Sequence, residues 1–116
     1  MSTQRRDKDY LADTLEAMRR IITYTIDLSY EAFLEDTRTQ DAVLRNIQVI
    51  GEAVKSLSAQ MRKAHPDVPW KEMAGMRDKI IHQYFGVNYD IVWTVAFQEL
   101  PTLLPKIQAL EEPHRE

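Results

Sequence analysis

The sequence predicts an all-α domain, folded as an antiparallel bundle of four to five helices. Three observations carry that expectation. Apolar residues recur at steps of three and four almost throughout the chain. No segment reads as a credible strand, and no internal repeat divides the chain. Pro66 and Pro69 fall between two periodic runs, where they end a helix. At 116 residues the chain is one domain's worth, residues 1–116. Its expected core covers about residues 7–110, with a frayed, charged tail over residues 111–116.

The first stripe is Tyr10, Leu11, Thr14, Leu15, Met18, Ile21, Ile22 and Ile26, with Asp7 or Asp9 as N-cap. Ser29 to Asp36 is less regular and reads as a corner or one short turn, folding Phe33 and Leu34 back onto the core. Asp36 or Thr37 then opens a second helix carrying Val43, Ile47, Ile50, Val54, Leu57 and Met61, expected to run to Ala64. Gly51 lies inside it, where glycine costs about 1 kcal/mol relative to alanine. Such a residue implies the close approach of another helix. Trp70 begins a third helix that ends at Gly86. Asn88 is the expected N-cap of a fourth, carrying Ile91, Val92, Val95 and Ala96. Pro101 and Pro105 kink or split it, leaving a last piece with Leu103, Leu104, Ile107 and Leu110.

Composition removes several functions. A chain that is 44% hydrophobic and 28% charged is globular rather than disordered. With no cysteine there is no disulfide, thiolate nucleophile or cysteine-bound metal. Gly51, Gly75 and Gly86 stand too far apart to build a phosphate-cradling loop. His65, His82 and His114 do not suggest a three-histidine metal site, so neither metal nor cofactor is expected. A net charge of −3 argues against general nucleic-acid coating but leaves room for a local basic site. The amino terminus runs straight into charged sequence, and no long apolar run follows. The expected location is therefore the cytoplasm, with no membrane partner.

The third helix is the segment that does not read as scaffold alone. At about 100° per residue, a continuous helix sets Arg77 in the middle of an arc formed by Trp70, Met73, Ile80, Ile81 and Tyr84. A charge inside an apolar arc must be paired, with Glu52 for example, or must face a cleft. Asp78 and His82, four apart, share another face with Lys71 beside them. From Arg62 to His82 there are five basic side chains against three acidic ones, the one positive bias in the chain. Taken alone, that bias indicates an anion or phosphate site and nothing more specific.

The string Arg77-Asp78-Lys79-Ile80-Ile81-His82-Gln83-Tyr84 resembles the R-x-x-x-x-H-x-Y signature of HepT-like proteins, a minimal branch of the HEPN superfamily. Gly51-Glu52-Ala53, Pro69-Trp70, Tyr84-Phe85-Gly86-Val87, Asp90-Ile91-Val92-Trp93 and Leu100-Pro101 agree with it in order and spacing. The likeness covers about Asp7 to Leu110. Asp78 stands where such proteins often carry asparagine.

The resemblance implies a homodimeric HEPN-type bundle whose two signature segments line one cleft. It implies a metal-independent endoribonuclease acting as the toxin of a toxin–antitoxin pair. It also implies a minimal nucleotidyltransferase antitoxin as partner, which silences the nuclease by AMPylation of Tyr84. The residue chemistry is consistent. His82 can transfer protons near neutral pH, and Arg77 offers a planar fork to phosphate oxygens. Asp78 could orient the imidazole from one turn away, and Lys79 and Lys71 are candidate RNA contacts. On a continuous helix Arg77 and His82 diverge by about 140°, which favours a site shared between two copies. The competing reading is a non-catalytic nucleotide- or RNA-binding adaptor that partners a nucleotidyltransferase.

Overall fold

The computed structural model describes residues 5–82 and 86–111, with His82 described by its backbone. Two long helices form its spine: α1 (Asp7–Thr25) and α3 (Thr37–Ser56), joined through the short α2 (Tyr30–Glu35). Their directions are fixed at the open end. The Asp7 carboxylate, at the start of α1, accepts from the Ser58 backbone N–H at 2.9 Å and from its hydroxyl at 2.7 Å, just beyond the end of α3. The two helices therefore run antiparallel. Leu11, Leu15, Met18 and Ile21 of α1 meet Val43, Ile47, Ile50 and Val54 of α3 in one buried core, as their spacing predicts.

Side chains cap the helix starts, and of the two residues the sequence offered for the second long helix it is Asp36 that does so. Asp36 opens α3 by accepting from the Thr39 backbone N–H at 3.0 Å, and Asn88 opens α7 (Tyr89–Thr94) by accepting from that of Ile91 at 3.1 Å. The first helix differs from expectation. Its N-cap is Arg6, and Asp9 acts from inside the first turn, accepting the Arg6 N–H at 2.9 Å. Asp7 is left free to hold Ser58. The expected short turn is α2, whose Phe33 is fully buried. Leu34 does not follow it, being 41% exposed, and Ile26 lies outside its stripe at 61%. The Gln40 amide donates to the carbonyls of Phe33 at 2.9 Å and Leu34 at 3.0 Å, satisfying the end of α2 from the first turns of α3.

The second predicted helix does not reach Ala64 unbroken. It stops at Ser56, Leu57 turns extended, and Ser58 caps a separate α4 (Ala59–Ala64) by accepting from the Met61 N–H at 3.0 Å. Serine competes for backbone donors, and here Asp7 reinforces it, so the continuous apolar period is overridden.

The third predicted helix is also broken. α5 (Trp70–Ala74) ends at Gly75, α6 (Met76–Ile80) follows, and the chain then turns extended at Ile81, contrary to the expectation of no strand. Ile81–His82 (β1) pairs antiparallel with Gly86–Val87 (β2), Ile81 opposite Val87 and His82 opposite Gly86. Gly86 adopts φ +78°, a conformation that favours glycine. Asn88 ties the hairpin down, its N–H donating to the Ile80 carbonyl at 2.9 Å.

The final arm is α7 (Tyr89–Thr94), a π-helical segment Val95–Glu99, and α8 (Leu100–Glu111). The π segment ends two residues before Pro101, which has no N–H to donate to the previous turn. The Leu100 N–H reaches the Val95 carbonyl, and the Thr102 hydroxyl donates to the Gln98 carbonyl at 2.9 Å. The prolines thus shift the helix register without splitting the arm. Ala109 and Leu110 at its end share a depression with Asp7 and Ser58, so α8 runs antiparallel to α1. No helix among the described residues is long and apolar enough to cross a membrane.

Candidate functional site

Arg77 is presented by a corner that three contacts hold in place. Trp70 is 7% exposed, and its indole N–H donates to the His65 carbonyl at 2.9 Å, anchoring the start of α5. Met73, Met76 and Ile80 are buried beneath α5 and α6. The Gly75 N–H closes α5 onto the Lys71 carbonyl at 3.0 Å. A Cβ on Gly51 would meet the Ala74 carbonyl oxygen at 3.3 Å, so the close approach that Gly51 implied is that of the α5–α6 corner onto α3.

This corner corrects the helical wheel. A continuous helix would put Arg77 among the apolar residues. Met76 joins Trp70, Met73 and Ile80 on the inner face, which moves the centre of that face away from Arg77, and the Arg77 side chain is 50% exposed. Its ion-pair neighbour among the described residues is Asp78, with Nη1 to Oδ1 at 3.9 Å, rather than Glu52. Glu52 instead lines a small groove of about 180 Å3 together with Gln48, Lys55, Arg77 and Asp78.

The other sequence candidates fall in different places. Lys79 points to the opposite side of α6, where its ammonium pairs with Glu99 on the π segment at 3.5 Å. It borders a second, more apolar cavity of about 360 Å3 between α5–α6 and the final arm, lined by Met73, Met76 and Leu103 among others. Lys71 is exposed on α5 and lines neither hollow. The backbone of His82 lies in β1, beyond the end of α6, so Asp78 and His82 do not share a helical face. The 140° separation of Arg77 from His82 no longer applies either, since it assumes a helix through Ile81. The side chain of His82, and Tyr84 altogether, lie outside the described residues.

Lys55 was not among the sequence candidates. It stands 22 positions before Arg77 on another helix, outside the basic window that ran from Arg62 to His82. No local pattern links them, and only the packing of α6 on α3 brings Lys55 to the Arg77 groove.

The described residues form a helical domain that presents a half-exposed arginine beside a small groove. Comparison with known proteins then gives the family. Residues 14–110 match the family described as Ribonuclease HepT-like. The chain is 46% identical over 101 residues to "Putative RNase MJ0127" of Methanocaldococcus jannaschii, covering 87% of this chain and 84% of that one. It is 42% identical over 109 residues to "Probable ribonuclease HepT" of Thermococcus cleftensis, covering 94% and 99%. A protein of Caldanaerobacter subterraneus subsp. tengcongensis, "Putative RNase TTE0752", is 42% identical over 103 residues, covering 89% and 92%. No solved structure matches the chain significantly. The chain belongs to the HepT-like ribonuclease family.

Proposed function

We propose that this protein is a metal-independent endoribonuclease, the toxin of a toxin–antitoxin pair. The observation that carries the reading is the family match over residues 14–110, which includes the whole Arg77-to-Tyr84 signature, on a chain that holds the Arg77 guanidinium half-exposed at a fixed corner. RNA supplies its own nucleophile. The ribose 2′-oxygen bonds to the adjacent phosphorus, and the bond from phosphorus to the 5′-oxygen breaks. A proton leaves the 2′-hydroxyl and another reaches the departing 5′-oxygen. His82 is assigned these proton transfers, since an imidazole ordinarily titrates near ~6.5. Arg77 stabilises the charge that grows on the phosphate oxygens. Asp78 lies beside Arg77, its carboxylate 3.9 Å from the guanidinium, and offsets part of the local positive charge. Nothing in this scheme calls for a metal ion.

The active form is proposed to be a homodimer that brings two signature segments to one cleft. An aromatic face supports a second copy. Phe97 is 46% exposed and stacks on Trp93 with ring centroids 4.8 Å apart, giving an apolar contact surface to a small domain that gains from further burial. The partner is proposed to be a minimal nucleotidyltransferase that transfers AMP to Tyr84, in the cytoplasm.

The test is cleavage of single-stranded RNA in excess chelator by the wild type, Arg77→Ala and His82→Ala. Wild-type cleavage persists, and each variant loses about 100-fold or more. A wild type whose cleavage vanishes in chelator and returns with magnesium defeats the mechanism. A wild type that binds RNA without cleaving it, with His82→Ala binding equally well, indicates the adaptor instead.

A further inference from the structure

The Arg77 groove holds a second cation that the signature does not include. Gln48, Glu52 and Lys55 follow one another at steps of four and three, so they form one face of α3. Gly51 lies on the same stretch, and its missing side chain lets the α5–α6 corner settle onto this face at the Ala74 carbonyl. Lys55 therefore stands one helical turn, about 6 Å, along α3 from the point where the corner touches it. Arg77 reaches the same groove from α6.

Lys55 is exposed, and among the described residues no carboxylate lies within ion-pair distance of it. Lys79, much closer to Arg77 in sequence, is held by Glu99 on the far side of α6. Asp78 is drawn to Arg77, which leaves Glu52 as the groove's uncommitted carboxylate. The groove, about 180 Å3, is smaller than the roughly 300 Å3 at which pockets begin to enclose small ligands. Its lining sets two separate cations, Lys55 and Arg77, against two carboxylates, Glu52 and Asp78, in a space suited to backbone phosphates and too small to enclose a nucleotide.

We propose that Lys55 binds an RNA backbone phosphate neighbouring the one held by Arg77, so that the substrate strand lies along the Gln48–Lys55 face of α3. The inference rests on the ribonuclease reading and assigns that site an additional binding residue. Glu52 opposes the strand and limits its affinity. Lys55 does not touch the reacting atoms, so its loss raises KM and leaves kcat nearly unchanged.

The experiment measures binding of a short 2′-O-methylated single-stranded RNA, which cannot supply the nucleophile, across a salt series. Wild type is compared with Lys55→Gln, Glu52→Gln, Arg77→Gln and Arg19→Gln. Arg19 is exposed on α1 beside Glu16 and Arg20, in a different depression. Lys55→Gln weakens binding several-fold at low salt and lowers the slope of log affinity against log salt by about 0.7, the loss of one single-strand phosphate contact. Glu52→Gln tightens binding, and Arg19→Gln matches the wild type. A Lys55→Gln slope equal to wild type, with Arg77→Gln reduced, overturns this inference alone. If Arg77→Gln is also unchanged, the RNA reading of the groove fails with it.

Discussion

Gly51 of α3 and Ala74 of α5 approach until a Cβ on the first would sit 3.3 Å from the carbonyl oxygen of the second. The opposing atom is backbone, in a corner held by buried Met73 and Met76, so it has little freedom to retreat. In Gly51→Ala the gain in helix propensity, about 1 kcal/mol, is offset by that contact. Its stability in urea should therefore lie within about 1 kcal/mol of wild type. A larger side chain has no such compensation. Gly51→Leu should lose about 1–3 kcal/mol by overpacking and displace Arg77, reducing RNA cleavage more than its stability loss alone accounts for. A fully active, fully stable Gly51→Leu would show that the corner does not position Arg77.

Ser58 does two jobs at the open end of the bundle, capping α4 and bonding Asp7. Ser58→Ala should cost about 1 kcal/mol, the usual loss of a helix N-cap. Asp7→Ala should cost less, because the pair is exposed. The double variant should lose less than the sum of the two, since each removes the same contact. Strict additivity in thermal or urea unfolding would mean that the Asp7–Ser58 bond contributes nothing.

Two carboxylates at helix starts make the fold sensitive to acid. The Thr39 hydroxyl and backbone N–H hold Asp36 below the usual carboxylate range, and the Arg6 backbone N–H does the same for Asp9. A carboxylate whose folded pKa is depressed binds its proton more readily in the unfolded chain. Its stabilisation is thus present above the unfolded value, near 3.8, and is lost as pH falls through the folded value. Stability should drop on acidification below about pH 5. Asp36→Asn keeps a capping oxygen and should flatten that part of the profile. An Asp36→Asn profile as steep as wild type would place the acid sensitivity elsewhere.

The same linkage acts with opposite sign at Tyr30. Its hydroxyl donates to Asp90, and that bond raises its pKa above the ordinary tyrosine value of 10.0. The stabilisation is full below that value and disappears as pH rises through the raised one. In an ultraviolet titration, wild type should show one late-titrating phenol that is missing from Tyr30→Phe. If the two alkaline titrations differ only by an ordinary tyrosine, the Tyr30–Asp90 bond is not maintained in solution.

Tyr84 carries the regulatory proposal. Under that proposal, an AMP on Tyr84 would add a negative phosphodiester to the signature and compete with RNA phosphate for Arg77. Tyr84→Phe should retain cleavage and escape silencing by the nucleotidyltransferase with ATP. Wild type should gain the mass of an AMP group and lose activity. Unchanged wild-type mass, or equal silencing of both proteins, removes Tyr84 from the scheme.

The sequence by itself determined the helical class, the inner faces of α1 and α3, and the cap at Asn88, and it narrowed the start of α3 to Asp36 or Thr37. Each of these depends on residues within a turn or two of one another, so local period and capping chemistry suffice. The Arg77-to-Tyr84 signature was legible for the same reason, being a string within eight consecutive residues. Tertiary structure decided where the long periodic runs break. Leu57 and Ile81 continue an apolar pattern, yet Ser58 bonded to Asp7 and the pairing of β1 with β2 win over helix propensity. It also decided which charges share a site. Arg77 lies outside the face that buries Met73, Met76 and Ile80, Lys79 is captured by Glu99, and Lys55 joins the groove from a different helix. Contacts between residues far apart in sequence depend on how one helix leans on another, and here that lean is set by the bare α-carbon of Gly51 against Ala74.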